Sequence, residues 1–366
     1  MPIRFNTQEE ARTAWASDRE RAERLGVYSL ATGYLYDGPR FDYTIAMDAQ
    51  PGLSTDPNSA VPAMLTTLID PDVFEILFSP TKAAEILGEN RKGTWTDDTA
   101  MFPVVEHTGE ASSYGDFAEN GRAGANTNWP QRQSYLFQVM KEYGERELER
   151  AGLARINWVS EIDKAAATTL NRFTNLTYFY GVQGLQNYGL LNDPNLSAAL
   201  TPATKAAGGT AWIAAGVIKA TANEVYADIQ ALFWKLVAQS GGLVTQESKM
   251  TLALGPGSAV ALTATNTYNV NVTDLLRKNF PNLRVVTAVQ YGIRSASNPQ
   301  GVVVGNLVQL IVDEIEGQDT GYCAYNEKMR AHKIIPATSS YKQKVTGGTW
   351  GAIIRMPMAI AQMLGV

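Results

Sequence analysis

The segment from Thr108 to Trp129 constrains the fold most, because it offers almost nothing to a hydrophobic core. It reads TGEASSYGDFAENGRAGANTNW and is dominated by Gly, Ala, Ser and Asn. Ordered loops longer than about 12 to 15 residues are uncommon unless they are functional or disordered. Apolar residues on either side predict one strand before the segment and one after it. These residues are Met101, Phe102, Val104 and Val105 before it, and Tyr135, Phe137, Val139 and Met140 after it.

Two flanking strands favour a long β-hairpin arm over a tail without structure. A two-stranded arm cannot satisfy its own strand edges and apolar groups. We therefore expect it to lie on another molecule. A mobile surface loop is the alternative, and the residues alone do not decide between the two.

The net charge argues against a protein that binds nucleic acid tightly. The 366 residues include 31 Lys and Arg against 36 Asp and Glu, a formal net charge of -5. Phosphate binding needs clustered excess cations. Charged residues make up 18% of the chain, fewer than the roughly 25% of an average soluble domain. A lightly charged surface is compatible with extensive contact between copies.

The sequence lacks the local signatures of most enzymes and metal sites. Its one cysteine excludes an intrachain disulfide or a cysteine-based zinc cluster, and its two histidines exclude a three-histidine metal site. Nucleotide-binding and nucleophile-elbow motifs are also missing from it. We therefore expect no catalytic, cofactor-binding or metal residues, and interpret Cys323 as a small buried hydrophobe. A soluble enzyme without a local motif, using His107 or His332, remains an alternative.

Hydropathy gives no indication of a membrane protein. No run reaches the roughly 18 apolar residues of a membrane span, and the N-terminus is polar. We expect a cytoplasmic protein without membrane contact.

Helical and strand patterns are mixed without regular alternation, which predicts the α+β class. The helices expected are Thr7 to Leu25, either solvated or packed on a neighbouring subunit, two short ones between Pro62 and Leu87, Ala154 to Tyr180, Ala222 to Ser240, and Asp274 to Phe280 capped by Thr273. The later strands expected are Met250 to Leu254, Val260 to Thr263, Leu283 to Val289, Val302 to Val312 and a last group from Lys342 to Ala359. We interpret Gly255 to Ser258 and Gly347-Gly348 as turns.

In this order, the elements resemble those of tailed-bacteriophage major capsid proteins and the related encapsulin shell proteins, which share the Hong-Kong-ninety-seven-type capsid fold. The resemblance covers the chain from about Asn58 to its end. It is carried by the long hairpin arm, by Ile69 to Phe74 before an early helix, by the long helix ending Phe179-Tyr180-Gly181, and by the run Gly189-Leu-Leu-Asn-Asp-Pro194 after that helix.

The resemblance implies a division into named parts. Residues 1–57 would form an N-terminal arm, 96–130 the extended β-hairpin loop and 241–335 the axial domain. The peripheral domain would combine residues 58–95, 131–240 with the long spine helix, and 336–366.

The implied function is structural. Copies of the chain would assemble into pentamers and hexamers of an icosahedral shell around a double-stranded DNA phage genome, each extended loop lying over a neighbour. The DNA would be contacted weakly and without sequence preference. Portal, scaffolding and decoration proteins would be further partners, and the shell would form in the host bacterial cytoplasm. An encapsulin-like compartment around an enzyme cargo is the alternative.

Six residues of the loop are predicted to contact a neighbouring subunit. The polar candidates are Glu110, Asp116, Glu119 and Arg122, for which solvated surface charge is the competing interpretation, and the apolar anchors are Phe117 and Trp129.

Two further expectations follow from the resemblance. Some family members link subunits covalently through a lysine of this loop, but Thr108 to Pro130 contains no lysine, so we expect no such cross-link. Only some 58 residues precede the matched region, so we expect a separate scaffolding protein or none.

Overall fold

The computed structural model describes residues 81–117, 119–153, 157–214, 216–296, 298–302 and 304–366. These residues all belong to one compact unit, Phe74–Val366. The predicted helix Thr7 to Leu25, the N-terminal arm 1–57 and the helical pattern that opens at Pro62 lie outside the described residues.

The described elements mix helices and strands as the α+β class requires. The helices are α1 (Ala83–Leu87), α2 (Glu145–Leu153), α3 (Trp158–Tyr180), α4 (Ala222–Gln239), α5 (Pro256–Ala259) and α6 (Val272–Asn279). The strands are β1 (Glu89–Arg91), β2 (Thr99–Met101), β3 (Val104–Gly109), β4 (Ala123–Asn128), β5 (Gln131–Gln133), β6 (Tyr135–Gly144), β7 (Ile213–Ala214), β8 (Val217–Ile218), β9 (Met250–Leu254), β10 (Leu283–Thr287), β11 (Leu307–Val312), β12 (Glu314–Ile315), β13 (Gln318–Asp319), β14 (Gly321–Pro336), β15 (Ser340–Ile354) and β16 (Ile360–Leu364).

The first sheet has the strand order β1-β14-β15-β6. Strand β15 is antiparallel to both β14 and β6, and β1 pairs parallel with β14. The helix α3 packs on one face of it. The Phe137 ring lies 4.7 Å from the Phe173 ring, and the Lys141 ammonium lies 2.5 Å from an Asp163 carboxylate oxygen. This confirms the predicted strand after the hairpin and the long helix.

The ends of α3 follow from local chemistry. At its start, the Asn157 Oδ1 accepts a hydrogen bond from the Ser160 N–H at 3.3 Å, which satisfies one unpaired donor of the first turn. At its end, Gly181 adopts φ +63°, a conformation that costs a residue without a Cβ little. Of the predicted helix Ala154 to Tyr180, residues 154–156 lie outside the described part of the chain.

The second sheet has the order β10-β9-β11-β16, and α4 packs against it. Val225, Ile229, Leu232 and Leu236 recur at helical spacing on α4 and are all buried. A capping box between Thr221 and Glu224 begins the helix. The predicted helix Ala222 to Ser240 and the predicted strand Met250 to Leu254 are thereby confirmed.

The two sheets draw elements from segments that the domain prediction separates. The predicted peripheral domain includes helix α4, which packs on the second sheet together with β16. The predicted axial domain includes strand β14, which belongs to the first sheet. The boundaries themselves remain a prediction.

Several local predictions are wrong, each for a physical reason. Val260–Thr263 is a 3-10 helix, because Pro256 starts a helical turn that carries on into it. Asn271, not Thr273, caps α6 by accepting from the Asp274 N–H at 2.7 Å. The strand expected from Val302 begins only at Leu307, after Gly305 at φ +68°.

Glycine and proline account for the remaining differences. The strand expected over Met101 to Val105 is split at Pro103, which has no N–H to donate. Gly347 and Gly348 do not form a turn but lie inside β15, pairing with Phe137 and Leu136 of β6.

No helix among the described residues combines the length and the apolar character that crossing a bilayer requires. Cys323 is fully buried in β14, which confirms its interpretation as a small hydrophobe.

Candidate subunit interface

The glycine-rich segment forms the turn end of a two-stranded antiparallel hairpin. Strands β3 and β4 pair from Val104 opposite Asn128 to Gly109 opposite Ala123. One more bond, from the Glu110 N–H to the Arg122 carbonyl at 3.0 Å, extends the ladder. Every residue of both strands is exposed. A hairpin is confirmed, but its second strand is β4, which lies inside the glycine-rich segment; the predicted strand from Tyr135 to Met140 is β6, which pairs with β15 instead.

Residues opposite each other on the two strands share a face of the ribbon. One face carries Val105, His107, Gly109, Ala123, Ala125 and Thr127, and the other carries Val104, Glu106, Thr108, Gly124, Asn126 and Asn128. Most of these side chains are small, and both faces are exposed. A lone two-stranded ribbon is only marginally stable in water. We therefore predict that another surface covers the ribbon.

The tip of the hairpin, residues 110–122, presents aromatic side chains to solvent. Phe117 is 100% exposed and Tyr114 is 92% exposed. The Tyr114 hydroxyl donates to Asp116 Oδ1 at 2.9 Å, which holds the acid next to the two rings. Exposed aromatic side chains beside a charged group are common at protein–protein interfaces.

The base of the hairpin is tied firmly to the rest of the unit. Arg132 of β5 and Asp193 form a buried ion pair at 2.7 Å, and the Arg132 guanidinium stacks over the Tyr188 ring at 4.7 Å. Close beside it, the Trp350 Nε1–H donates to the Lys92 carbonyl at 2.9 Å. Breaking one partner of such a buried pair is costly, so the base is a rigid support.

The structure brings some of the predicted contact residues together and not others. Glu110 and Arg122 face each other across the end of the ladder, and Asp116 and Phe117 share the turn at the tip. Glu119 is exposed between them. Trp129 lies apart from this group, beyond the end of β4 at the base, and is 54% exposed. Their contacts with a neighbour remain a prediction.

Sequence reasoning missed Tyr114 and the exposed apolar residues Val104 and Val105 as candidate contacts. Their exposure could not be read from the sequence, because apolar residues in a strand usually predict a buried face. It also missed a cationic stretch from Lys328 to Lys344, which a search for charge runs would have found.

The histidines do not assemble a catalytic group in the described part of the chain. His107 is exposed in β3, opposite Ala125. The His332 Nε2 lies 3.0 Å from the Thr346 Oγ1, and its ring contacts the edge of Trp95. No cluster of three metal-ligating side chains occurs among the described residues.

The groups whose pKa is shifted lie in the body of the unit and not in the hairpin. Burial raises the pKa of the Cys323 thiol far above its usual range. Burial, then the Glu89 carboxylate that accepts from its hydroxyl at 2.8 Å, raises the pKa of Tyr178 in the same way. These groups are held neutral and unreactive, which suits structural positions.

One family model matches most of the chain. The sequence model of the Pa193 gp26 major capsid protein matches residues 52–365. No curated protein matches the chain.

Solved structures show the same fold. The capsid of Myoviridae phage XM1 aligns with a TM-score of 0.66 at 14% identity, covering 84% of this chain and 100% of that one. The capsid of a native GTA particle aligns with a TM-score of 0.55 at 10% identity, over 88% and 100% of the two chains. The chain of Gordonia phage Cozz gives a TM-score of 0.53 at 10% identity, over 88% and 98%.

Proposed function

We propose that this chain, which belongs to the Pa193 gp26 major capsid protein family, builds a closed icosahedral shell from pentamers and hexamers of itself. Family membership makes it a structural shell subunit of a tailed bacteriophage, located in the virion capsid. The arrangement into pentamers and hexamers is the step we add. Closed shells of one chain need repeated, symmetric interfaces.

The observation that carries the proposal is the uncovered hairpin. Its strands are exposed on both faces, and Phe117 at its tip is fully exposed. Exposed apolar groups of this kind mark interaction sites. We propose that each hairpin lies over the peripheral domain of an adjoining copy, with Glu110, Asp116, Glu119 and Arg122 as polar contacts and Phe117 and Trp129 as apolar anchors.

The domain assignment belongs to the same proposal. The peripheral domain would be centred on the first sheet and α3, and the axial domain on the second sheet. The resemblance supports the order of these parts, and the packing of α4 on the second sheet favours moving that helix into the axial domain.

We further propose that the shell encloses double-stranded DNA, touches it weakly, and acts without catalysis. The net charge of -5 supports weak contact, since a lining that gripped phosphates would hinder packaging and release. Assembly in the host bacterial cytoplasm, with portal, scaffolding and decoration proteins as partners, completes the proposal. Particles that hold an enzyme cargo and no DNA would instead support an encapsulin-like compartment.

Electron microscopy and sedimentation of purified protein test this function. We expect closed shells from the unchanged chain. Phe117→Ser should reduce shell yield sharply, because a buried aromatic anchor contributes about 2 kcal/mol or more at an interface. Phe117→Leu keeps an apolar side chain and is the matched control that should still assemble. A small, non-assembling oligomer in all three samples would contradict the proposal.

A further inference from the structure

The tip of the hairpin contains the one Asn-Gly dipeptide of the sequence, Asn120-Gly121. Asparagine is among the chemically labile residues. The backbone nitrogen that follows an asparagine can attack the side-chain amide carbon and close a five-membered ring. Glycine has no Cβ to shield that nitrogen, and its backbone reaches unusual torsion angles at little cost. The dipeptide therefore combines the two residue types that this reaction needs.

The structure leaves the dipeptide accessible. Asn120 and Gly121 are both exposed and precede β4. They lie on the tip side of the bond from the Glu110 N–H to the Arg122 carbonyl. Neither the Asn120 side chain nor the Gly121 N–H forms a hydrogen bond within the described part of the chain. The two reacting groups are therefore free to approach each other, which residues held in a strand ladder cannot do.

The conformation of the tip requires the reactive glycine. Gly121 adopts φ +83°, and a Cβ added there would lie 3.1 Å from the Glu110 carbonyl oxygen and 3.3 Å from the Ser112 nitrogen. A residue with a side chain would be strained at this torsion angle and would crowd the opposite backbone. The fold of the tip thereby places an unshielded nitrogen directly after Asn120.

Two further asparagines of the same hairpin provide an internal comparison. Asn126 and Asn128 are also exposed, but both lie in β4 and pair with β3. They are followed by Thr127 and Trp129, whose side chains shield the backbone nitrogen. Strand pairing also restrains the torsion angles that ring closure must change. Asn120 should therefore react well before either of them.

We propose that Asn120 is a site of spontaneous deamidation in the unassembled chain. The Gly121 nitrogen gives its proton to solvent and forms a bond to the Asn120 Cγ. The bond from Cγ to Nδ2 breaks, and the departing nitrogen takes up a proton and leaves as ammonia. Water then opens the resulting succinimide ring at either carbonyl carbon, which leaves aspartate or isoaspartate at position 120. Water is the co-reactant, and no group is oxidised or reduced.

Deamidation changes the tip in two ways. It adds a negative charge next to Glu119, at a tip that already carries Glu110 and Asp116 as further acids against Arg122. Isoaspartate also inserts an extra carbon into the backbone close to the end of the ladder. We expect modified chains to assemble less well than unmodified ones. This consequence rests on the proposed function of the tip, whereas the chemistry does not.

Peptide mapping by mass spectrometry tests the chemistry. The purified, unassembled chain is aged in water enriched in heavy oxygen and digested with trypsin under mildly acidic conditions, which suppress further reaction. Cleavage after Arg122 separates Asn120 from Asn126 and Asn128. We expect the Asn120 peptide to exchange its amide nitrogen for labelled oxygen first, with isoaspartate as the main product. The rate should rise with pH, because the Gly121 nitrogen must lose a proton.

Asn120→Gln is the matched variant, because it keeps a side-chain amide but would have to close a less favourable, larger ring. The modification at this position should be lost. Aspartate without isoaspartate would indicate direct hydrolysis and overturn the cyclic route. A rate at Asn120 no higher than the rates at Asn126 and Asn128 would overturn the whole proposal.

A second measurement separates this chemistry from the shell function. Partly aged chains are allowed to assemble, and the shells and the free subunits are mapped separately. We expect isoaspartate to be depleted in the shells and enriched among free subunits, while equally aged Asn120→Gln chains assemble like fresh ones. Equal modification of both fractions overturns the effect on assembly and leaves the deamidation standing. Fresh chains that form no shells contradict the proposed function, and with it this effect, but not the deamidation.

Discussion

At the scale of single residues, Gly348 lets side chains from the two adjacent strands lie close to the backbone of β15. A Cβ added at Gly348 would lie 2.7 Å from the Leu136 Cδ2 and would also clash with the Asn326 side chain amide. The Asn326 side chain is fully buried and has little room to move aside, whereas Leu136 is partly exposed. The sequence shows that Gly347 and Gly348 have no side chains, but it does not show which side chains of the adjacent strands lie against them. For that reason the sequence alone favours a turn.

We therefore expect Gly348→Ala to lower the free energy of unfolding by about 1–3 kcal/mol, the usual range for overpacking. Chemical denaturation of unassembled subunits measures it. Gly257→Ala in α5 is the control, since nothing lies within 4 Å of its added Cβ. A Gly348→Ala subunit as stable as this control would contradict the packing described.

A buried carboxyl predicts a pH dependence. Burial raises the pKa of Asp313 above its ordinary value, although the Thr251 hydroxyl donates to it at 2.7 Å and Arg284 lies near. A carboxyl whose pKa is higher in the folded state lowers the free energy of unfolding when it is ionised. This destabilisation decreases as the pH falls through the folded-state pKa, and it is gone below the pKa of the unfolded state.

Asp313→Asn should consequently raise the melting temperature at neutral pH, and the gain should vanish near pH 3, where the wild-type carboxyl is protonated in both states. Asp319→Asn, at an exposed position of β13, controls for the loss of one charge. A gain that is equal at both pH values would contradict the assignment to Asp313.

At the scale of elements, periodicity and capping predicted most of what the structure shows. The helices α3 and α4 and the strands β6 and β9 were visible as apolar patterns bounded by Gly, Pro or capping residues. Patterns failed at Val260–Thr263, where the helical turn that Pro256 starts continues into the predicted strand. Helix α2 was not predicted, because it is short, none of its residues is fully buried, and its apolar side chains are only Leu148, Ala151 and Leu153.

The candidate site was only partly predictable, because the exposure of a side chain depends on its tertiary neighbours. The hairpin was found because its composition cannot form a core. The exposure of Val104 and Val105 was not predicted, because apolar residues in a strand pattern usually indicate a buried face.

The hairpin tip should be dispensable for folding and required for assembly. We expect a chain in which residues 110–122 are replaced by Asn-Gly, a favoured two-residue hairpin turn, to keep its circular dichroism spectrum and melting temperature. Its shells should be absent in electron micrographs. Ser113→Ala, which keeps the tip, is the control. A tip-deleted chain that forms normal shells would contradict the role given to the tip.

At the scale of the whole molecule, the binding energy of the shell is expected to be spread over many non-covalent contacts. The hairpin from Thr108 to Pro130 offers no lysine for linkage to a neighbour. Mature particles boiled in denaturant should therefore migrate as single chains on a denaturing gel. Reduction should make no difference, since the one cysteine is buried. A ladder of linked chains would contradict this.

The most direct test is a high-resolution electron cryomicroscopy reconstruction of the assembled particle. We predict pentamers and hexamers in which the hairpin of every subunit, from Val104 to Asn128, rests on an adjoining copy. A reconstruction, or a dilute single-chain structure, in which the hairpin folds back onto its own subunit would contradict the account.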